Sequence, residues 1–371
     1  AVLAFPRPAG ETKDFEQAQP RLTADALGFD ASALLDANPW TSTQLPPPAK
    51  NRPRVIRFDF PEPFTARLLQ IVPGPGLRWF KGLLEASMDG KEFKQVREVE
   101  IPWVWDQNRR HFSFPAEAGK SFRLVCSEVV GDLSFGQLRL SPRQAVEDLD
   151  SKAAYQRGDE VKSSSEQATP DTLIPRGKIL NLTARMTGEG RLEWDIPAGD
   201  WVILRLGSTL TGKRNHPAPP EGTGLEIDKM NPRAARAHFA AVVDRLAPGS
   251  GVSGPWGFRN VLIDSYEVGS QNWTPGFERE FQKRRGYDPL PFLSVLTGRA
   301  VENPEFSERF LWDFRRTIAD LFAENYYGRM AELTHGKGLR LGVEPYGNGP
   351  FENLAIGGRG DLPVGEFWVG G

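Results

Sequence analysis

The chain has 371 residues, of which 39% are hydrophobic and 25% are charged, so it is long enough for two or three domains and has a globular composition. Its net charge is −2 and its acids and bases are interspersed, which argues against a nucleic-acid partner or an anionic membrane surface. We expect no insertion into a membrane, because the sequence lacks the apolar run of about 18 residues that a transmembrane helix needs.

The first residues, 1–5, predict a strand that is already under way, and an initiating methionine is absent. We therefore expect the chain to be a segment of a longer protein. Residues 6–53 are rich in proline, alanine and acids and show little periodicity, so we interpret them as a linker. The polar residues 142–178 are interpreted as a second linker.

Residues 54–141 contain short strand-like runs separated by turn signals such as Asp89-Gly90 and Gly131-Asp132. This spacing predicts an antiparallel β-sandwich of roughly 90 residues. The runs FDFPEPF, EASMDGKEF and FRLV resemble those of a galactose-binding-like jelly roll. Such a module either binds sugar or braces a catalytic domain, and we favour bracing. The single cysteine, Cys126, lies in an apolar run, which predicts a buried, inert thiol and excludes an internal disulfide.

Strands alternate with helices in the rest of the chain, and this alternation predicts a parallel sheet. Asn231-Pro232 provides an N-cap and a proline at the first helical position, so we expect a helix up to about Leu246. A second helix is expected after Thr274-Pro275, and a longer one follows Asn303-Pro304 with its aromatic side chains in the core.

Three apolar, strand-like runs each end in a carboxylate beside aromatic residues: Val261–Ile263, Leu339–Val343 and Leu362–Val364. Buried carboxylates are costly unless they are paired or functional, and the carboxyl ends of parallel strands meet at one edge. Convergent carboxylates with aromatic walls suit a sugar. The residues concerned are Asp264, Tyr266, Glu267 and Trp273 after the first run, Glu344 and Tyr346 after the second, and Glu366 and Trp368 after the third.

Two structural interpretations stay open beside the functional ones. Asp264 could cap a helix or pair with an arginine, since structural ion pairs are common. Asp228-Lys229 could clamp a substrate, or it could belong to a surface ion pair.

Several ordered motifs, spread over nearly the whole chain, resemble glycoside hydrolase family 106, the α-L-rhamnosidases. The motifs are Ala1–Pro6, Pro197–Trp201, Gly224–Lys229, Asp264–Gly269, Gln271–Thr274, Arg284–Pro289, Glu344–Gly347 and Gly365–Trp368.

The resemblance implies a (β/α)8 barrel of the TIM type that is interrupted by an inserted galactose-binding-like β-sandwich, with only part of the barrel in this chain. The expected division is a barrel strand at 1–5, a linker at 6–53, the sandwich at 54–141, a second linker at 142–178 and the truncated catalytic barrel portion at 179–371. The implied location is the periplasm or the exterior of a bacterium.

The resemblance also implies roles for individual residues. Glu267 matches the general acid of the family, Glu366 its general base, and Glu344 a position in a calcium-bearing sugar site. Inversion needs room for a water, so the two catalytic carboxyls are expected roughly 6.5–9.5 Å apart. The implied partner is a plant or bacterial oligo- or polysaccharide that carries terminal α-L-rhamnose. The expected substrate-binding residues are Asp228, Asp264, Tyr266, Trp273, Tyr346 and Trp368.

Two alternatives remain. A retaining barrel glycosidase of another specificity would hold its carboxyls about 5–5.5 Å apart. A non-catalytic carbohydrate-binding protein would use the sandwich alone, although such a protein would not need acids at three strand ends.

Overall fold

The computed structural model describes residues 1–26, 28–36, 38, 41–50, 52–101, 109–156, 169–247, 257–347, 349–367 and 369. The strands are β1 (Val2–Pro6), β2 (Arg21–Ala24), β3 (Thr43–Leu45), β4 (Arg54–Pro73), β5 (Leu77–Ser87), β6 (Lys94–Ile101), β7 (Arg110–Gly131), β8 (Leu133–Ser141), β9 (Leu180–Asn181), β10 (Trp201–Arg205), β11 (Asn260–Ile263), β12 (Arg340–Val343) and β13 (Leu362–Pro363). The helices are α1 (Ser32–Leu35), α2 (Leu149–Lys152), α3 (Pro232–Leu246), α4 (Phe277–Arg285), α5 (Pro304–Leu321), α6 (Arg329–His335) and α7 (Asn353–Gly357).

The chain forms two compact units. The first comprises residues 1–150, 160–206 and 291–310, and the second comprises residues 151–159, 207–290 and 311–371. The domain boundaries expected from the sequence stay predictions.

The largest sheet, in the first unit, has seven strands in the order β3-β8-β4-β7-β5-β6, with β2 beside β4. All of its pairings are antiparallel, as the short runs between residues 54 and 141 predict. In the first half of β4, Ile56, Phe58 and Phe60 are buried and alternate with half-buried polar neighbours, because successive side chains of a strand point to opposite faces. The same core holds Cys126, whose thiol is free and fully buried, as predicted.

The segment that we interpreted as a linker, residues 6–53, contributes two strands to this sheet. β2 pairs with β4, and β3 pairs with β8. The buried side chains of Leu22 and Leu45 anchor them. Strands of three or four residues contain too few alternations for a period of two to be visible in the sequence.

A second sheet in the first unit has the order β10-β1-β9, and both of its pairings are antiparallel. β1 was expected to be a strand of a parallel barrel, and this expectation is wrong, because its backbone pairs antiparallel with β10 some two hundred positions along the chain. Val2 and Ala4 pack with Leu182 in a small core of this sheet.

The second unit is built around the parallel sheet β11-β12-β13, in which Ile263 is in register with Val343 and Gly342 with Leu362. The three runs with carboxylate endings are therefore neighbours, as predicted. β12 is buried, whereas Leu262 of β11 is 58% exposed. The apolar composition of the first run, Val261–Ile263, fits a strand buried on both faces, but this interpretation is wrong because one face of β11 is exposed at Leu262.

The helices of this part begin and end where the sequence predicts. The Asn231 side chain caps α3 by accepting a hydrogen bond from the Arg233 N–H at 3.0 Å, and Gly286 ends α4 in the left-handed region. A π-helical segment, Phe322–Gly328, joins α5 to α6. In the second unit, Phe239 of α3 and Met330 of α6 share a core with Leu341 of β12. Within the described ranges, no helix is both long and apolar enough to cross a membrane.

The predicted (β/α)8 barrel is wrong. Most pairings are antiparallel, and none of the sheets formed by the described residues closes into a barrel. Their seven α-helices are few for the length of the chain, and the architecture is instead close to a sandwich or jelly roll. The barrel was implied by the family resemblance. The alternation of strand and helix is a local pattern that predicts the parallel sheet, whereas closure into a barrel depends on pairings between distant strands.

Candidate active site

The acidic side chains at the ends of β11, β12 and β13 start from one edge of the parallel sheet. The Glu344 N–H donates to the Ile263 carbonyl at 2.9 Å, and the Val364 N–H donates to the Val343 carbonyl at 2.9 Å. These bonds extend the pairing beyond each strand and hold Asp264 and Glu344 side by side. The first residues after each run therefore emerge together, as the sequence predicts.

Asp264 and Glu344 form a carboxyl pair. The Ser265 N–H donates to Asp264 Oδ1 at 2.9 Å and to Glu344 Oε2 at 3.1 Å. A hydrogen bond between the two carboxyls raises the pKa of Glu344, with desolvation adding to the shift, because a second carboxyl nearby favours the neutral form. Asp264 makes no ion pair with an arginine of the described chain, so the helix-cap and arginine interpretations do not apply to it.

Tyr346 connects this pair to Glu366. Burial raises the pKa of Tyr346 to about 12, and interaction with Glu344 and the charges of Glu366 and Asp264 add to the shift. The phenol oxygen is enclosed and makes no hydrogen bond of ordinary geometry within the described residues, although it faces the Glu344 carboxylate. Three predicted site carboxylates are thus close enough to act on one phenol.

The segment that leads to Glu267 is fixed by backbone pairing. The Tyr266 N–H donates to the Tyr346 carbonyl at 2.9 Å, and Tyr266 forms a parallel bridge with Gly347. Gly347 has a φ of 124°, and a Cβ there would lie 1.9 Å from the Tyr266 carbonyl oxygen, so this close approach requires glycine. Glu267, the next residue after Tyr266, is exposed.

A buried cation lies against Tyr266. The Lys229 side chain is 9% exposed and pairs with Glu226, and its ammonium is 5.3 Å from the Tyr266 ring centroid and 5.6 Å from that of Tyr326. Burial and the Glu226 charge both raise the pKa of each tyrosine. Lys229 therefore belongs to a buried ion pair in an aromatic cage, and neither a surface pair nor a free substrate clamp describes it.

An open cavity of about 420 Å³ lies beside this cage, within the second unit. Such a volume falls in the range of small-molecule sites, roughly 300–1,000 Å³. Trp273 forms part of its wall and packs against Phe277, with 4.9 Å between ring centroids, and against Phe314, at 6.4 Å. Its other wall residues include Tyr266, Asp228, Lys229, Glu226, Gln271 and Lys213.

Asp228 lies in the cavity wall but is already occupied by protein donors. Its carboxylate accepts from the Gln271 amide, from the Thr274 hydroxyl at 2.6 Å and from the Met230 N–H at 3.1 Å. These bonds tie the loop before α3 to the loop before α4. Asp228 thus shapes the cavity, and its predicted contact with substrate stays a prediction.

The structure brings seven of the predicted site residues to these two adjoining features and leaves two outside. Glu267 is absent from the cavity wall, and Trp368 lies outside the described residues. Sequence reasoning missed Glu226 and Lys213. Both come to the cavity through the bridge between Arg214 and Leu225, for which the sequence carries no local signal. The grouped residues are Asp228, Tyr266 and Trp273 at the cavity, and Glu344, Asp264, Tyr346 and Glu366 at the sheet edge.

The described residues do not complete a calcium site. Calcium takes six to eight oxygen ligands, usually from several carboxylates. No group of three His, Cys, Asp or Glu side chains that could hold a metal occurs among the residues described. Asp264 and Glu344 supply two carboxylates that share a hydrogen bond. The calcium expected at Glu344 stays a prediction, and no step below depends on it.

Carboxylates beside an aromatic-walled cavity suit a protein that processes carbohydrates, and most glycoside hydrolases use two carboxyl groups in their reaction. The chain belongs to glycoside hydrolase family 106: the family model, described as alpha-L-rhamnosidase, matches residues 1–371.

Two individual proteins are similar to this chain. The rhamnosidase of Novosphingobium sp. PP1Y, a solved structure, matches with a TM-score of 0.78 and 31% identity over 97% of this chain and 34% of its own. A protein of Formosa agariphila named "Putative beta-glucuronidase" is 46% identical over 233 residues, which is 62% of this chain and 20% of that protein. The chain thus spans about a third of the solved structure and a fifth of the second relative.

Proposed function

We propose that the protein containing this chain is an inverting exo-α-L-rhamnosidase. The family assignment supports a glycosidase of the rhamnosidase type. The observation that carries the proposal is the gathering of Asp264, Glu344 and Glu366 around Tyr346, next to a cavity walled by Trp273. A rhamnose ring at the sheet edge would direct its hydroxyls to the carboxyl pair, and the indole would form an apolar wall for the part of the glycan that lies in the cavity.

The reaction needs two carboxyl groups with opposite tasks. A carboxylic acid protonates the oxygen of the leaving group, while a carboxylate on the other face of the sugar removes a proton from the attacking water. We assign the first task to Glu267 and the second to Glu366. Tyr266 lies in the cavity wall and is fixed by its bond to Tyr346, so the residue after it, Glu267, emerges beside the cavity.

Asp264 and Glu344 are the groups best suited to bind the hydroxyls of the sugar. Their oxygens accept hydrogen bonds, and the raised pKa of Glu344 makes it easier to protonate than an ordinary glutamate, so that its carboxyl can also donate one. A pair that donates and accepts can hold two neighbouring hydroxyl groups, such as those at C2 and C3 of rhamnose.

The test uses an aryl α-L-rhamnoside and the full-length protein. We expect Glu366→Gln and Glu267→Gln each to abolish hydrolysis without changing thermal stability. Glu332→Gln, on the exposed surface of α6, serves as the matched control and should be fully active. Proton NMR of the first product should show the β-anomer, as inversion requires. Full activity of either site variant would remove that residue from its assigned role.

A β-glucuronidase is the second candidate, because one relative carries that name. An aryl β-D-glucuronide assayed beside the aryl rhamnoside separates the two, since each reports one sugar and one anomeric configuration. A chelator added to the active assay tests calcium at the same time. If the chelator abolishes hydrolysis and added calcium restores it, the result would support the calcium expected from the family.

A further inference from the structure

Lys213 is the one cavity-wall cation, among the described residues, that has no acidic partner. It is exposed and forms no ion pair with any described residue, whereas Lys229 in the same wall is neutralised by Glu226. Asp228, the remaining charged wall residue, accepts three hydrogen bonds from protein donors. An uncompensated ammonium therefore stands at the cavity.

The position of Lys213 is held by its neighbours on both sides. The Glu226 N–H donates to the Lys213 carbonyl at 3.0 Å, beside the bridge between Arg214 and Leu225. The side chain lies over Gly269, where a Cβ would meet Lys213 Cε at 3.4 Å and Nζ at 3.9 Å. Gly269 follows Glu267 by two residues, so the ammonium lies above the loop to which we assign the general acid.

A sugar also needs an apolar surface against which its C–H groups can pack. Trp273 provides this surface in the same cavity. Its ring is braced by Phe277 and Phe314, so it is held in place as a flat surface. An aromatic ring can pack against the C–H groups of a sugar, and an ammonium can pair with a carboxylate. Together they suit a sugar that carries a carboxylate. A neutral sugar could accept hydrogen bonds from the ammonium but would leave its charge without a counter-charge, whereas a carboxylate provides both.

We infer that this cavity binds a hexuronic acid joined to the rhamnose, with Lys213 as the counter-charge of its carboxylate and Trp273 as its platform. The inference rests on the proposed rhamnosidase function and specifies the acidic glycan on which it acts. The uronic acid is the leaving group, which the general acid protonates, and Lys213 is a specificity-determining residue.

The test compares Lys213→Met with the unchanged full-length protein on three substrates: rhamnosyl-glucuronic acid, its rhamnosyl-glucose counterpart and an aryl rhamnoside. We expect kcat/KM for the acidic disaccharide to fall about 10- to 100-fold, as for loss of one hydrogen bond to a charged group. The two neutral substrates should be unaffected. Lys213→Arg should retain the preference, and Lys91→Met, at an exposed turn of the first unit, should change nothing.

Equal losses on all three substrates would overturn the inference, because Lys213 would then act on the rhamnose or on the fold. No loss on the acidic disaccharide would overturn it as well. Binding of free glucuronate and of glucose, measured by calorimetry, is independent of catalysis. If glucuronate binds and Lys213→Met abolishes this binding, the acidic subsite is supported even when the aryl rhamnoside is not hydrolysed. Failure to hydrolyse the aryl rhamnoside would refute only the rhamnosidase activity.

Discussion

The buried pair of Lys229 and Glu226 offers the sharpest test of how the cavity is built. Replacing Lys229 with methionine keeps much of the length and apolar stem of the side chain but removes the charge. Glu226 would then be left without its partner, and its side chain is only 20% exposed. Removal of one member of a buried pair typically costs about 3–5 kcal/mol, because the other charge stays buried and uncompensated.

The magnitude can be refined from the surroundings. Glu226 keeps some access to water, which favours the lower end of that range, whereas loss of the contacts of Lys229 with the rings of Tyr266 and Tyr326 adds about 0.5–2 kcal/mol. We therefore expect a loss of about 3.5–5 kcal/mol. At about 2–4 °C per kcal/mol for a unit of 150–250 residues, the midpoint of thermal unfolding should fall by about 7–20 °C.

The control is a double-mutant cycle followed by thermal unfolding. In Lys229→Met combined with Glu226→Gln no charge is stranded, so the double variant should recover at least half of the loss. Lys229→Arg keeps the charge and should lie between the two. The reasoning is refuted if Lys229→Met unfolds within 2 °C of the unchanged protein, or if the double variant is no more stable than the single one.

Three further predictions concern the sheet edge and the first unit. Gly347→Ala should lower stability by about 1–3 kcal/mol in thermal unfolding, because its φ is 124° and a Cβ would lie 1.9 Å from a carbonyl oxygen, while Gly365→Ala, in open space, should be neutral. Asp264→Asn should lower the pKa of Glu344 in a carboxyl ¹³C NMR titration. In the unchanged protein that pKa is raised, so any stability from the pair is full at low pH and is lost as pH rises through it; a Glu344 titration that does not move would contradict the pairing. Burial raises the pKa of Cys126, so its thiol should react with a disulfide reagent only after unfolding.

The carboxylate-ended strands could be predicted because their signal is local. Val261–Ile263 and Leu339–Val343 are apolar runs that stop at an acid, and both become parallel neighbours in register. The N-cap at Asn231 and the stop at Gly286 are local signals too, and both helices follow them. In each case the chemistry of a few adjacent residues decides the conformation.

Whether the strands close into a barrel could not be predicted from the sequence, because closure depends on pairings between distant residues. β1 and β10 are joined by backbone hydrogen bonds, which leave no pattern in their side chains to reveal their partners or direction. Lys213 and Gly269 likewise meet only because the bridge at Arg214 and Leu225 folds one loop over another. Pairings of this kind are properties of the whole fold.

The carboxyl pair at the sheet edge brings two acids close together. Asp264 and Glu344 repel each other when both are ionised, and the pKa of Glu344 is raised accordingly. Tyr346 adds an enclosed phenol without a well-formed hydrogen bond within the described residues. Departures from local rules of stability are expected at functional sites, so this grouping beside a cavity with a braced tryptophan supports the proposal that the sheet edge belongs to the active site.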